Sequence, residues 1–265
     1  MTNALLLYLF FLGLIYVFQD KLTYFPAIQT QDTLVKQANA NALKLWPKTD
    51  YRGLIKQNDT DVKGTILVFH GNAGSAINRG YYVSALENLG YRVIIAEYLG
   101  YGARSGIKNE AHLVEDALQT AQLVLQTFDE PLYLWGESLG AGVATAVANS
   151  KLPIAGIVLV TPFDNLPNVA QHHYWYFFGK WLTKDNYDNV ANLKAFKGNV
   201  AIIMAEQDEV IPNSLTLNLY NNIQSQKKLW RFANAGHNSL PFSKNLPWWQ
   251  DVMNFITHDE NTSVF

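Results

Sequence analysis

The sequence predicts an α/β fold with a mostly parallel central sheet and helices on both faces. Continuous Val, Ile and Leu runs alternate with segments of helical periodicity along most of the chain, a pattern typical of strands that are buried on both sides. A length of 265 residues suits one such core. We therefore expect one α/β domain over residues 22–265, preceded by a hydrophobic helix over residues 1–21.

The individual elements follow from local composition. The predicted strands are short apolar runs bounded by turn residues, at 43–46, 51–56, 65–69, 92–96, 132–135, 154–160, 200–204 and 229–232. The predicted helices have apolar residues three and four positions apart, at 32–42, 81–89, 111–126, 139–149, 214–223 and 247–256. Residues 163–194 are expected to form a short cap between two strands.

The first residues differ from the rest of the chain. Residues 4–18 carry no charge, and as a helix at about 1.5 Å per residue they would be roughly 22 Å long, against ~30 Å for a hydrocarbon core. We predict a single-pass N-terminal membrane anchor, with Thr2 and Asn3 extending the helix. A cleaved signal peptide and an amphipathic or buried helix remain alternatives. No basic region precedes the apolar run, which argues against the signal peptide. The side of the membrane that the domain faces is not predicted, because few charges flank the run.

Composition excludes several classes of function. The net charge of −2 gives no electrostatic reason to expect a nucleic-acid partner. The absence of cysteine excludes disulfides, thiolate catalysis and cysteine metal sites. His172 and His173 are adjacent and have no further ligand at useful spacing, so we predict neither a metal nor a cofactor. The oligomeric state is not predicted.

Ser138 is the first candidate for chemistry. It is the centre of Gly136-Glu137-Ser138-Leu139-Gly140, between an apolar run and a predicted helix. A Gly-x-Ser-x-Gly turn between strand and helix raises the serine hydroxyl at the carboxyl edge of the sheet. The N-terminus of the following helix then offers N–H groups to a developing negative charge.

Two further candidates follow later strands. Asp208 comes after the run at 200–204, and His237 comes after the run at 229–232. Because ligands of parallel sheets gather at the carboxyl ends of strands, Ser138, Asp208 and His237 are expected to lie close together. Asp164, which follows the run at 154–160, is an alternative acid.

On these residues the chain resembles the α/β-hydrolase superfamily. It looks most like a branch of small membrane-anchored hydrolases described as serine-aminopeptidase-like or bud-emergence-protein-like. The resemblance covers residues 24–256. It rests on a Tyr-Phe-Pro segment at 24–26 and on five motifs. The motifs are His70-Gly-Asn-Ala-Gly74, Glu97-Tyr98 with Gly100-Tyr101-Gly102, Gly136-Glu-Ser-Leu-Gly140, Asp208-Glu-Val-Ile-Pro212 and Ala235-Gly-His-Asn238.

The resemblance implies a Ser-His-Asp triad. Ser138 would be the nucleophile, His237 the base, and Asp208 the group that orients the imidazole. The backbone N–H groups of Asn72 and Leu139 would form the oxyanion hole. His70, just before that loop, is expected to act as an orienting hydrogen-bond partner.

The predicted function is a membrane-tethered serine hydrolase that cleaves an ester or thioester through an acyl-enzyme. Its partners would be a small-molecule or lipid-like acyl substrate and the membrane. Two alternatives stay open: an aminopeptidase-like amide hydrolase, in which Glu137 or Glu97 would bind a substrate amine, and a catalytically inactive hydrolase-fold binding protein. The aromatic segment 174–181 is interpreted either as core packing or as a lid that lines an apolar acyl pocket or touches the bilayer.

Overall fold

A computed structural model describes residues 2–56 and 62–257, and within them one eight-stranded sheet forms the centre of the molecule. The strands are β1 Phe25–Pro26, β2 Leu43–Trp46, β3 Gly53–Lys56, β4 Thr65–Phe69, β5 Ala73–Gly74, β6 Arg92–Ala96, β7 Leu132–Glu137, β8 Ile154–Val160, β9 Asn199–Ala205 and β10 Lys227–Phe232. The order in the sheet is β10-β9-β8-β7-β4-β6-β3-β2. Only the pairings β2–β3 and β3–β6 within that sheet are antiparallel, so the predicted mostly parallel sheet is confirmed.

Helices cover both faces of the sheet, as predicted. They are α1 Thr2–Phe18, α2 Asp20–Thr23, α3 Gln31–Ala40, α4 Gly80–Leu86, α5 Glu110–Thr127, α6 Leu139–Ala148, α7 Leu166–His173, α8 Gly179–Leu182, α9 Asn189–Leu193, α10 Asn213–Asn222 and α11 Pro247–Thr257. Apolar side chains of α5, α6 and α10 pack on one face, and those of α3, α4 and α11 pack on the other.

The central strand β4 illustrates why these runs are almost entirely apolar. Leu67 and Phe69 belong to the core on the α5–α6 face, whereas Ile66 and Val68 belong to the core on the opposite face. Successive side chains of a strand point to opposite faces, so a strand covered on both sides is apolar at nearly every position. The exception in β4 is Thr65, whose hydroxyl accepts a hydrogen bond from Arg92 at 3.1 Å. Burial on both faces explains the continuous runs in the sequence.

The N-terminal helix α1 is apolar and mostly uncovered. Leu6 is 61% exposed and Phe10 is 59% exposed. Over residues 2–56 and 62–257, the structure has no helix with both the length and the apolar character required for a membrane crossing.

Two segments outside the large sheet lie next to its carboxyl edge. The strand β1 pairs in parallel with β5, so that Phe25 is opposite Ala73 and Pro26 is opposite Gly74. This pairing brings the chain that follows α1 beside the loop after β4. Residues 163–194, predicted to form a cap, contain α7, α8 and α9 and follow β8 directly.

Candidate active site

Ser138 occupies a tight turn between β7 and α6. Its φ and ψ are 52° and −115°, a backbone conformation that non-glycine residues rarely adopt. The turn is closed from both sides: a Cβ on Gly140 would collide with the carbonyl oxygen of Phe69, and one on Gly136 would collide with backbone atoms of Gly140 and Ala141. The two glycines of the motif are therefore required by close backbone approach.

Ser138, His237 and Asp208 form a continuous hydrogen-bonded chain. His237 Nε2 lies 3.0 Å from Ser138 Oγ, and His237 Nδ1 lies 2.8 Å from Asp208 Oδ2. The side chains of His237 and Asp208 are only 8% and 3% exposed. An imidazole in this arrangement can accept the serine proton at Nε2 while its Nδ1–H remains bonded to the carboxylate.

The carboxylate of Asp208 is fixed by its own loop as well as by His237. Its Oδ1 accepts hydrogen bonds from the backbone N–H groups of Val210 and Ile211, at 2.9 and 2.7 Å. The backbone N–H of His237 donates to Glu209 Oε2 at 3.1 Å. These bonds hold the aspartate loop and the histidine loop together.

Asp164, the alternative acid, has other partners. Its carboxylate accepts hydrogen bonds from the Asn165 N–H at 2.6 Å and from the side-chain amides of Asn168 and Asn218 at 2.8 Å each. The structure thus brings Asp208, and not Asp164, to the imidazole of His237.

Asn72 and Leu139 both line the same cavity as Ser138. Leu139 is the first residue of α6, where a backbone N–H has no intrahelical acceptor. The backbone of Asn72 is held at its carbonyl, which accepts from the Phe25 N–H at 2.9 Å and the Tyr101 hydroxyl at 2.7 Å. Asn72, on a restrained loop, and Leu139, at the start of α6, thus both lie at the cavity that contains Ser138.

His70 and Glu97 are buried next to the loop that carries Asn72. Both side chains are fully buried, and His70 Nε2 lies 3.3 Å from Glu97 Oε1. The Tyr98 hydroxyl donates to the carbonyl of His70 at 2.7 Å. Glu97 also accepts from the backbone N–H of Ala76. His70 is thus hydrogen-bonded beside the loop that carries Asn72.

Glu137, next to the serine, forms a partly buried ion pair with Arg79. Arg79 donates to its carboxylate from Nε at 3.1 Å and from Nη2 at 2.9 Å, and the hydroxyls of Tyr81 and Tyr82 add bonds at 3.0 and 2.9 Å. Burial alone would raise the pKa of Glu137, but the Arg79 charge and these hydrogen bonds outweigh it and hold the pKa below the ordinary glutamate value.

An apolar cavity of about 330 Å³ opens at Ser138. A volume of this size is at the lower end of the range for small-molecule sites, about 300–1,000 Å³. Its walls come from the N-terminal segment, from residues 163–194 and from the loop after β9, and they include Ile15, Leu22, Phe25, Val169, Phe177, Leu182 and Ile211. Neither Glu137 nor Glu97 lines it among the described residues.

The aromatic segment 174–181 is mostly on the surface. Trp175, Tyr176 and Trp181 are 56%, 65% and 82% exposed, so core packing is the wrong interpretation for these side chains. Phe177 instead lines the cavity. His173, which immediately precedes this segment, has its Nε2 atom 2.7 Å from the carbonyl oxygen of Val210 in the aspartate loop.

Comparison with known proteins agrees with this architecture. The family model for serine aminopeptidase, S33, matches residues 60–184. The esterase Pf2001 of Pyrococcus furiosus superposes with a TM-score of 0.66 at 16% identity, covering 88% of this chain and 97% of the other. Acetyl xylan esterase 1 of Thermoanaerobacterium gives 0.57 at 19% identity, covering 88% and 96%. The chain belongs to the α/β-hydrolase superfamily.

Relatives with higher sequence identity include lysophosphatidylserine lipases. The enzyme ABHD12 of Bos taurus is 34% identical over 176 residues, covering 59% of this chain and 44% of the lipase. ABHD12 of Xenopus tropicalis is 34% identical over 201 residues, covering 68% and 51%. The chain thus spans about half the length of these lipases.

Sequence reasoning missed two parts of the site. The Arg79–Glu137 ion pair joins residues 58 positions apart, and no local pattern indicates it. The N-terminal wall of the cavity is the second part, although Phe25 on that wall belongs to the Tyr-Phe-Pro motif.

Proposed function

We propose that the protein is a serine hydrolase that cleaves carboxylic esters or thioesters through an acyl-enzyme. The observation that carries this proposal is the series of hydrogen bonds from Ser138 Oγ to His237 Nε2, at 3.0 Å, and from His237 Nδ1 to Asp208 Oδ2, at 2.8 Å. These bonds lie beside an apolar cavity. Residues 22–265 would form the catalytic domain, with residues 163–194 as its cap.

In the first half-reaction Ser138 Oγ attacks the substrate carbonyl carbon as His237 Nε2 takes the hydroxyl proton. The carbonyl oxygen becomes an oxyanion, which the N–H groups of Asn72 and Leu139 stabilise. The tetrahedral intermediate collapses, the bond to the alkoxide or thiolate leaving group breaks, and His237 returns the proton to that group. Water then repeats the sequence on the acyl-Ser138 ester, and the carboxylic acid leaves.

Two observations support a substrate with an apolar acyl chain. The cavity next to Ser138 is lined mainly by aliphatic and aromatic side chains, and the ABHD12 relatives are lysophosphatidylserine lipases. We infer that single-chain acyl lipids are the substrate class. The two glutamates that an aminopeptidase would use are engaged elsewhere, Glu137 by Arg79 and Glu97 by His70, so ester hydrolysis is favoured over amide hydrolysis.

Hydrolysis of p-nitrophenyl esters tests the proposal. Wild-type protein is expected to be active, and Ser138→Ala should lower kcat by at least about four orders of magnitude. Ser84→Ala is the matched control, because Ser84 is an exposed serine on α4. Equal turnover by Ser138→Ala and Ser84→Ala, or faster cleavage of aminoacyl p-nitroanilides than of esters, would contradict it. A wild type that hydrolyses none of these would favour the inactive binding protein.

We also infer that α1 attaches the protein to a membrane surface. Most of its apolar side chains are exposed, and the exposed aromatic residues Trp175, Tyr176 and Trp181 belong to the segment that contacts it. Side chains of this kind partition into the lipid interface.

Flotation with phosphatidylcholine vesicles tests this attachment. A Leu6→Glu, Phe10→Glu variant should lose flotation, since each charge costs about 2.5–3.5 kcal/mol within a bilayer. A Gln37→Glu variant, changed at an exposed position of α3, should float like the wild type. Flotation of the Leu6→Glu, Phe10→Glu variant with the vesicles would contradict the inference.

A further inference from the structure

The apolar cavity is built from two parts of the chain that are far apart in sequence. One wall is N-terminal, with Ile15 of α1 and Leu22 of α2, and the facing wall comes from residues 163–194, with Val169 and Leu182. Ser138 lies at the same cavity. An acyl chain attached to the serine would therefore extend between these two walls.

The walls are joined by hydrogen bonds as well as by apolar contact. The Tyr8 hydroxyl donates to the carbonyl of Tyr176 at 2.6 Å, and the Tyr8 ring stacks on Phe177 with centroids 6.1 Å apart. Gln19 donates to the carbonyl of Leu182 at 3.1 Å and accepts from the N–H of Lys184 at 2.7 Å. The end of α1 is thus fixed against the opposite wall.

A second set of hydrogen bonds fixes the segment that follows α1 and α2 in the sequence. The Tyr24 hydroxyl donates to Asp185 Oδ2 at 2.6 Å and lies 3.1 Å from the Tyr187 hydroxyl. Tyr24 itself is 3% exposed. Because both ends of the N-terminal wall are held, the size of the side chains between them limits the space available to a ligand.

We propose that the N-terminal segment sets the acyl-chain length that the site accepts, with Ile15 as a specificity-determining residue. The proposal rests on the proposed ester hydrolysis and adds a second role for α1 besides membrane attachment. A larger side chain at position 15 shortens the accepted chain, and a smaller one lengthens it. Removing or adding room for one or two methylene groups changes the selectivity of an apolar pocket by about tenfold.

The test compares Ile15→Trp and Ile15→Ala with Val17→Trp in the full chain. Val17 is on the same helix, is also β-branched, is 57% exposed and is absent from the cavity wall. Activities are measured on p-nitrophenyl acetate, octanoate and dodecanoate. Ile15→Trp should lower the kcat/KM ratio of octanoate to acetate by about tenfold, Ile15→Ala should raise the ratio of dodecanoate to octanoate, and Val17→Trp should reproduce the wild-type ratios.

Binding of dansylaminoundecanoic acid separates this proposal from the catalytic one. Its affinity should fall in Ile15→Trp and stay at the wild-type value in Val17→Trp, whether or not the protein hydrolyses esters. Unchanged ester ratios and unchanged probe affinity in a folded Ile15→Trp protein would overturn the proposal. If Ile15→Trp fails to fold, Leu22→Trp on the same wall carries the same expectation and the same contrary result.

Discussion

The side-chain amide of Asn72 donates a 2.8 Å hydrogen bond to the backbone carbonyl of Thr23. This bond, with the pairing of β1 and β5, attaches the loop after β4 to the N-terminal segment. The oxyanion hole predicted for this protein uses the backbone N–H of Asn72, so the side chain of the same residue fixes the position of that donor.

Asn72→Ala should therefore reduce kcat more than it changes KM. A hydrogen bond of this kind contributes about 1 kcal/mol, which corresponds to about a fivefold loss in rate if it acts wholly in the transition state. Asn41→Ala is the control, since Asn41 makes an equivalent amide-to-carbonyl bond to Gln37 at a helix end. Identical steady-state constants for the two variants would show that the bond has no part in positioning.

Asp208→Asn and Asp164→Asn distinguish the two acids. Loss of the Asp208 carboxylate, which is bonded to His237 Nδ1, should lower kcat by about four orders of magnitude because the imidazole loses its orienting partner. Asp164→Asn should keep kcat within about threefold and destabilise the fold by about 1 kcal/mol. The check is kcat together with urea unfolding, and a larger catalytic loss for Asp164→Asn would reverse the assignment.

The Arg79–Glu137 pair predicts a change in the pH dependence of stability. The folded-state pKa of Glu137 is below its ordinary value. Its contribution to the free energy of unfolding is therefore present above the ordinary glutamate pKa of about 4.3 and is lost as the pH falls through the folded value.

In Arg79→Met the carboxylate loses the cation, and burial then raises the pKa of Glu137. The variant should be about 3–5 kcal/mol less stable at neutral pH. The contribution of Glu137 to the slope of unfolding free energy against pH changes sign. In the variant, the free energy of unfolding falls as the pH rises above about 4.3. Urea unfolding from about pH 7 to about pH 4 measures this, and parallel profiles for variant and wild type would contradict it.

The backbone at Ser138 predicts an effect on stability that is separate from catalysis. Its φ of 52° disfavours any residue with a Cβ, whereas glycine adopts it freely. Ser138→Gly and Ser138→Ala both remove the hydroxyl, but the glycine variant should be more stable by about 1 kcal/mol. Thermal unfolding of the two variants decides the point, and a higher Tm for Ser138→Ala would contradict it.

The parallel strands could be predicted from sequence because double-sided burial leaves an unbroken apolar run. The runs at 65–69 and 92–96 match β4 and β6 residue for residue. The two-residue strands β1 and β5 were not predicted, since so short a pairing has no periodicity and depends on where the N-terminal segment lies.

At the site, too, some features follow from a sequence pattern and others depend on tertiary packing. Ser138, Asp208 and His237 each follow a strand of a parallel sheet, so topology alone brings them to one edge. The N-terminal wall of the cavity was not predicted, because it depends on contacts such as that between Tyr8 and Tyr176, 168 residues apart. Such contacts are decided by tertiary packing and have no signature in local composition.

The most direct test of the central claim is covalent labelling by a fluorophosphonate probe, followed by mapping of the adduct. Ser138 Oγ, whose proton is taken by His237 at 3.0 Å, should attack the phosphorus of the probe, and the P–F bond should break with release of fluoride. The wild type should carry the adduct on Ser138, and Ser138→Ala should carry none. An adduct that persists in Ser138→Ala, or a wild type that remains unlabelled, would contradict the assignment of Ser138 as the nucleophile.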